Sequence, residues 1–289
     1  MNIWDEIKES FKEGSVLTRL IYINLGMFLL IRIINVFYFL GGAEFPFLDW
    51  LALPADLQTL ASRPWTLITY MFLHFDFLHI LFNMLWLYWM GQIFLGYFDQ
   101  NKLIAIYLLG GICGGVFYIS GYNFFPVFSE SIANSKLLGA SASVIAIVTA
   151  LAIHAPNHNI HLMFIGPVKM KYIALISVLL YVIGISSTNA GGNLAHLGGA
   201  FFGVIYVLQL RRGIDPGKGV NWLMNGIKKL FTPKPKVKVS YRKPVDDIDY
   251  NRMKNQDQAR MNEILEKISK SGYGSLSKEE KEILFRMGK

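Results

Sequence analysis

The chain has 289 residues, is 53% hydrophobic and only 17% charged, and has a mean hydropathy of +0.37, which excludes an ordinary soluble domain of this length. Its net charge of +8 lies wholly in residues 212–289, where 18 Lys/Arg stand against 10 Asp/Glu. A basic tail against an anionic cytoplasmic leaflet accounts for that charge more simply than nucleic-acid binding does.

In chain order, residues 1–16 come first, with Ile3, Trp4, Ile7 and Phe11 on one face of a charged segment, the pattern of a helix lying on a membrane surface. Six apolar segments follow, at about 17–40, 75–97, 102–122, 137–154, 170–188 and 193–211. Crossing a hydrocarbon core of about 30 Å takes roughly 20 helical residues, so the expectation is an all-α polytopic membrane protein with six transmembrane helices. Acids as well as bases precede the first segment and no small-residue cleavage site follows it, so it reads as a retained anchor. Arg32, inside that segment, has to snorkel or pair.

The loops alternate in charge. Lys8, Lys12, Arg19, Lys102, Lys169, Lys171, Arg211 and Arg212 fall on one side; Glu44, Asp49, Asp56 and Glu130, with only Arg63 and Lys136 as bases, fall on the other. The positive-inside rule then puts the N- and C-terminal ends in the cytoplasm, at the cell (inner) membrane if the chain is bacterial. The first outer loop, with Gly41-Gly42, Pro46 and Pro54 among Phe45, Phe47, Leu48, Trp50 and Leu51, is apolar enough to dip into the interface. His154, His158 and His161 sit around Pro156 and Pro167 with no acid or cysteine nearby, and read as loop histidines, not a metal site. The lone Cys113 excludes an intramolecular disulfide and, among glycines, reads as packing.

Beyond Arg212 the expectation is a basic Pro/Lys linker over 213–250, carried by Pro233, Pro235 and Pro244 with Lys234, Lys236 and Lys238. A small helical cytoplasmic segment over 251–289 follows, with helices at about 252–271 and 277–287. Ser277 and Glu280 form a capping box, and Ile264, Leu265, Ile268, Ile283, Leu284 and Phe285 offer a small shared apolar face. The partner of this tail is not legible.

Three short signals sit near the outer ends of the even-numbered segments: His79-x-x-x-Asn83, Gly139-Ala140-Ser141, and Ala195-His196-x-Gly198-Gly199-x-x-x-Gly203. Residues four apart share a helix face, so His79 and Asn83 point the same way. Intramembrane polar groups are costly and by default mark a functional site. Gly139, Ser143, Ala146 and Ala150, facing Ala195, Gly199 and Gly203, form small-residue stripes that let helices approach; Gly110, Gly111, Gly114 and Gly115 add a third such surface. A serine hydroxyl becomes nucleophilic when a base takes its proton. Ser141 and His196 therefore read as a catalytic dyad without an acid, and Asn83, His79 and the Ser141 N–H as donors to an oxyanion. Ser143, about 200° round the helix from Ser141, is assigned to packing, and His74 to support of the outer loop.

With these motifs the chain resembles the rhomboid family of intramembrane serine proteases over residues 17–211. That resemblance implies a six-helix rhomboid-like bundle over 17–212 that cleaves membrane-anchored substrates within or beside their transmembrane helices, without metal or cofactor. It also marks departures: Ala142 follows the serine where glycine is common, and Ile145 stands where many members stack an aromatic on the histidine. Trp65-Thr66, with Arg63 close by, replaces a Trp-Arg pair, and Leu95 replaces a glutamate. Two other classes make different predictions. An inactive rhomboid-like adaptor would be expected to lack the serine or the histidine. A transporter predicts inverted halves with polar groups near the midplane.

Overall fold

A computed structural model describes residues 2–162, 165–231 and 247–287. The chain opens with α1 (Ile3–Glu13), which leaves Trp4, Ile7 and Phe11 exposed, and enters α2 (Val16–Leu40) through the Ser15 cap, whose Oγ accepts from the Thr18 N–H at 3.2 Å. The loop between α2 and α6 carries α3 (Phe47–Leu51), β1 (Leu53–Pro54), α4 (Leu57–Ser62) and α5 (Thr66–Thr69). Then come α6 (Phe77–Leu95), α7 (Gln100–Phe124), β2 (Lys136–Leu137) and α8 (Ser141–His154). A hairpin of β3 (Asn159–Leu162) and β4 (Gly166–Lys169) leads into α9 (Met170–Ile183), α10 (Ala190–Arg211) and α11 (Lys218–Phe231).

Helices thus occupy all six apolar segments, but they are unequal. Four of them, α2, α6, α7 and α10, are long and apolar enough to cross a membrane. The 14 residues of α8 rise only about 21 Å, and the apolar stretch Met170–Ser186 is also shorter than the four. The fourth segment was expected to be helical from residue 137. Instead, Leu137 pairs with Leu53 and Lys136 with Pro54 in an antiparallel ladder, Gly139 takes φ +121°, and helix begins at Ser141. The chain therefore descends extended before it coils, and α8 starts inside the bundle. Gly139, expected as a helix-packing residue, lies in this turn instead.

Burial explains why so short a helix is stable there: Ala142 through Ala152 are all buried. On one side α10 touches the α8 backbone. A Cβ on Gly199 would collide with the Ala142 carbonyl oxygen, and one on Gly203 with the Ala146 carbonyl and Thr149 Oγ1. On the other side is α7, where a Cβ on Gly114 would come within 2.6 Å of Ala142 Cβ and one on Gly111 within 2.7 Å of Ser143 Oγ. Ser143 thus faces α7, not α10. Thr149 joins the helices directly, donating within 3.1 Å of the Ala200 carbonyl.

Polar side chains fix the remaining elements. Asn24 in α2 is fully buried and donates to the Leu20 carbonyl at 2.8 Å and to Tyr107 Oη at 3.1 Å, and Tyr107 donates to the Met71 carbonyl. Arg32 donates to the Phe75 carbonyl and lies over the Phe28 and Phe75 rings. In the outer loop Trp65 stacks on Trp50 with centroids 6.1 Å apart, and Arg63 lies over the Trp50 ring while donating to the Asp49 carbonyl. Asp56 caps α4; the Thr59 hydroxyl, then its amide, hold the carboxyl below its ordinary range. In the next loop His154 packs on Phe98, and His158 Nδ1 lies 3.0 Å from Tyr97 Oη.

The tail differs from expectation at its start. Residues 218–231, read as linker, form α11, because Val220, Leu223 and Met224 recur at helical spacing. Pro233, Pro235, Pro244, Lys234, Lys236 and Lys238 lie outside the described residues. A second compact unit, 233–289, contains α12 (Asp247–Ser271) and α13 (Lys278–Met287). The capping box is formed: the Ser277 N–H donates to Glu280 Oε2 at 2.6 Å, and the Glu280 N–H to Ser277 Oγ at 3.2 Å. Lys267 also donates to Glu280, whose carboxyl is held below its usual range first by that bond. The apolar contact centres on Ile264 and Leu276, both 5% exposed; Leu265 and Phe285 face outward, contrary to expectation.

Three substitutions test this packing. Gly203→Ala is expected to lower the melting temperature in detergent by an amount equivalent to about 1–3 kcal/mol of overpacking, whereas Gly26→Ala, inside α2 with nothing within 4 Å of the added Cβ, is expected to keep or raise it. Ser143→Ala removes a fully buried hydroxyl that has no hydrogen-bond partner among the described residues. It is expected to keep or raise the melting temperature, since removing an unsatisfied polar group is neutral or stabilising; a fall of several degrees would refute that.

Candidate active site

Because α8 starts at Ser141, the serine side chain sits at the head of a buried helix and not on a membrane surface. The nitrogens that open such a helix have no intrahelical acceptor, and Ala140 at the cap position supplies no side-chain bond. The Ser141 N–H is therefore available to a ligand, at the positive end of the helix dipole. From α10, His196 reaches across the Gly199 contact, and its Nε2 lies 2.6 Å from Ser141 Oγ.

His79 and Asn83 stand one turn apart on α6. The Asn83 Nδ2 donates to the His79 carbonyl at 2.9 Å, which uses one of its two hydrogens and leaves the other. All four predicted side chains, Ser141, His196, His79 and Asn83, line one cavity of about 540 Å³. Its remaining wall includes Tyr118, Tyr122, Ser135 and Asn189, a polar lining that water can occupy. A second, apolar groove of about 380 Å³ reaches Ser141 from between α6 and α9, past Leu78, Phe82, Trp86 and Tyr181.

The descent into the site is held by groups from the outer loop. The Gly139 N–H donates to the Tyr70 carbonyl at 2.9 Å, and the Tyr70 hydroxyl donates to the Gly111 carbonyl at 2.6 Å. The Ala140 N–H points at Nε2 of the buried His74, 3.4 Å away, and the His74 ring meets His79 edge-on with centroids 5.1 Å apart. Gly139 is required twice over. Its φ of +121° disfavours a side chain, and a Cβ there would lie 2.9 Å from the His79 ring. Of the remaining predicted supports, Gly199 and Gly203 sit in the α8–α10 contact.

Three site-shaping residues have no motif of their own. Tyr70 carries no signal beyond its place in an aromatic-rich loop. Asn193 donates through Nδ2 to the Gly184 carbonyl at 2.6 Å and the Asn189 carbonyl at 3.0 Å, tying the end of α9 to α10. Tyr181, on α9, packs on His196 with ring centroids 4.4 Å apart. The one available signal for it was indirect: the missing aromatic at Ile145.

Comparison with known proteins covers these same elements. The "RHOMBOID-like protein 12, mitochondrial" of Arabidopsis thaliana is 26% identical over 220 residues, 73% of this chain and 62% of that protein. The "Rhomboid protease GlpG" of Yersinia pseudotuberculosis serotype I is 27% identical over 160 residues, 55% of this chain and 52% of that protein. The protein of the same name from Salmonella newport is 36% identical over 66 residues, 23% and 24% of the two chains. The chain thus spans a little over half the length of the first two. Residues 245–289 match a model described as "Family of unknown function (DUF6576)". Residues 61–213, from the outer loop that holds the descent to the end of α10, match the Rhomboid domain, and the chain, a multi-pass membrane protein, belongs to the rhomboid family.

Proposed function

We propose that the protein is an intramembrane serine endopeptidase that cuts membrane-anchored proteins within or next to their transmembrane helices. The observation that carries this reading is the 2.6 Å approach of His196 Nε2 to Ser141 Oγ on the wall of a polar cavity. His196 takes the Ser141 proton as Oγ attacks the scissile carbonyl, then returns it to the departing amine, leaving an acyl-enzyme. A water from the polar cavity, deprotonated by the same imidazole, releases the acid. The tetrahedral oxyanion of each step is met by the Ser141 N–H, the second Asn83 N–H and the His79 ring. These roles need no metal or cofactor, and no nucleic acid enters the reading.

The two cavities give substrate and water separate approaches. A transmembrane helix can reach Ser141 along the apolar groove between α6 and α9, while water arrives from the polar side. Cleavage requires the substrate to be locally extended, since a helical carbonyl is shielded by its own hydrogen bonds. In this reading all six apolar helices cross the bilayer, with residues 17–212 as the protease unit, residues 1–16 at the interface, and the basic tail in the cytoplasm. The fourth crossing is completed by the extended stretch before α8. The third uses the Asp99 cap, where Lys102 pairs with Asp99 on the cytoplasmic side.

Fluorophosphonate labelling of the purified protein tests the nucleophile without a known substrate. Wild type is expected to label, Ser141→Ala and His196→Ala to lose labelling, and Ser143→Ala to keep it. A folded wild type that does not label would refute the dyad. With a cleavable transmembrane substrate, Asn83→Ala is expected to lower kcat by about 10²–10³, the loss of about 2.7–4 kcal/mol typical of one oxyanion donor. An unchanged kcat would remove Asn83 from that role.

A further inference from the structure

Among the described residues no acid orients His196. Its Nε2 meets Ser141 Oγ, while Nδ1 is buried and has no hydrogen-bond partner among the described residues. One hydrogen bond leaves an imidazole free to turn about its Cβ–Cγ axis, so packing must set the ring plane. In the α8 position four residues after Ser141, Ile145 supplies no ring. The ring comes from a different helix: Tyr181 of α9 packs on His196 with centroids 4.4 Å apart and planes at 54°.

The geometry points to Tyr181 as the positioning residue of the dyad, its ring holding the His196 plane so that Nε2 faces Ser141 Oγ. This rests on the serine–histidine mechanism proposed above. A second observation supports it independently. For Tyr181 to fix a ring on α10, α9 must keep its register against α10, and the two are fastened three residues further along. Asn193, one turn before His196, donates to the Gly184 carbonyl at 2.6 Å and lies 3.4 Å from Ser187 Oγ. A Cβ on Gly184 would fall 2.5 Å from Asn193 Nδ2, so a side chain there would displace the amide from the clasp. The aromatic support thus stands on the helix that borders the apolar groove and not on the helix of the nucleophile.

Tyr181 also lines that groove, so its test must separate positioning from binding. Fluorophosphonate inactivation of the full chain, followed over time and probe concentration, gives kinact and KI separately, with melting temperature measured alongside. Tyr181→Phe is expected to keep kinact within about twofold, because it retains the ring. Tyr181→Leu is expected to lower kinact by about tenfold or more at unchanged KI and melting temperature, as small misplacements of reacting groups do. Tyr181→Met, which fills similar volume without a ring, is read the same way if the leucine variant does not fold. A folded ringless variant with wild-type kinact overturns the proposal, as does a change in KI alone; if neither ringless variant folds, the ring belongs to the fold and the proposal also fails. A wild type that does not label at Ser141, or that labels equally after His196→Ala, refutes the dyad itself, whatever Tyr181 does.

Discussion

The starting point of α8 governs the molecule. A helix that began at residue 137, as apolar patterning suggests, would bring its first turn near the outer surface and place Ser141 on the helix wall. Pairing Lys136 and Leu137 with β1 and turning the chain at Gly139 delays the helix start to Ser141, puts the serine at an open helix end, and creates the space above it. That arrangement carries a cost: non-helical backbone inside an apolar bundle, whose polar groups need partners. Lipid offers none. The loop between α2 and α6 supplies them, through β1 pairing at Leu53 and Pro54, the Tyr70 carbonyl at Gly139 and the His74 ring at Ala140. Irregular backbone at this depth survives because protein surrounds it and a water-accessible cavity adjoins it.

The glycines of α7 and α10 follow from the same constraint. A 14-residue helix has few contacts to offer, so each neighbour must come to backbone distance. Gly199, Gly203 and Gly114 allow that approach, and the Gly199 contact also sets the separation of the two catalytic candidates. Dispersion between closely packed backbones replaces the hydrophobic driving force that lipid removes. The Thr149 bond to the Ala200 carbonyl ties α8 to α10 on a level below Ser141.

Much of this was legible in the sequence because membranes simplify it. Long apolar runs give the helices, four-residue spacing gives the faces of α6 and α10, and polar residues in apolar runs announce the site. What could not be read was conformation within apolar sequence. Leu137 and Leu138 look the same whether extended or helical, so apolar patterning alone starts α8 four residues early. In the tail, Gly and Pro on both sides of residues 218–231 masked a helical pattern that Val220, Leu223 and Met224 do carry. Leu265 and Phe285 sit in apolar runs too short for periodicity to say which face turns inward, whereas Leu276, outside any run, is buried.

Tyr181 shows a different limit. A reactive group can be tied to a sequence offset, because nucleophile and base must meet with one geometry. Support for the base is less constrained: any ring that reaches the same face of the imidazole will do, and it can come from any helix that passes close by. Ile145 on α8 therefore need not leave the imidazole unsupported if α9 can be held at the right register. Here the Gly184–Asn193 clasp meets that condition. A helix that borders the groove and also braces the base cannot shift without disturbing the base, so in this arrangement access to Ser141 and readiness of His196 are set by the same element.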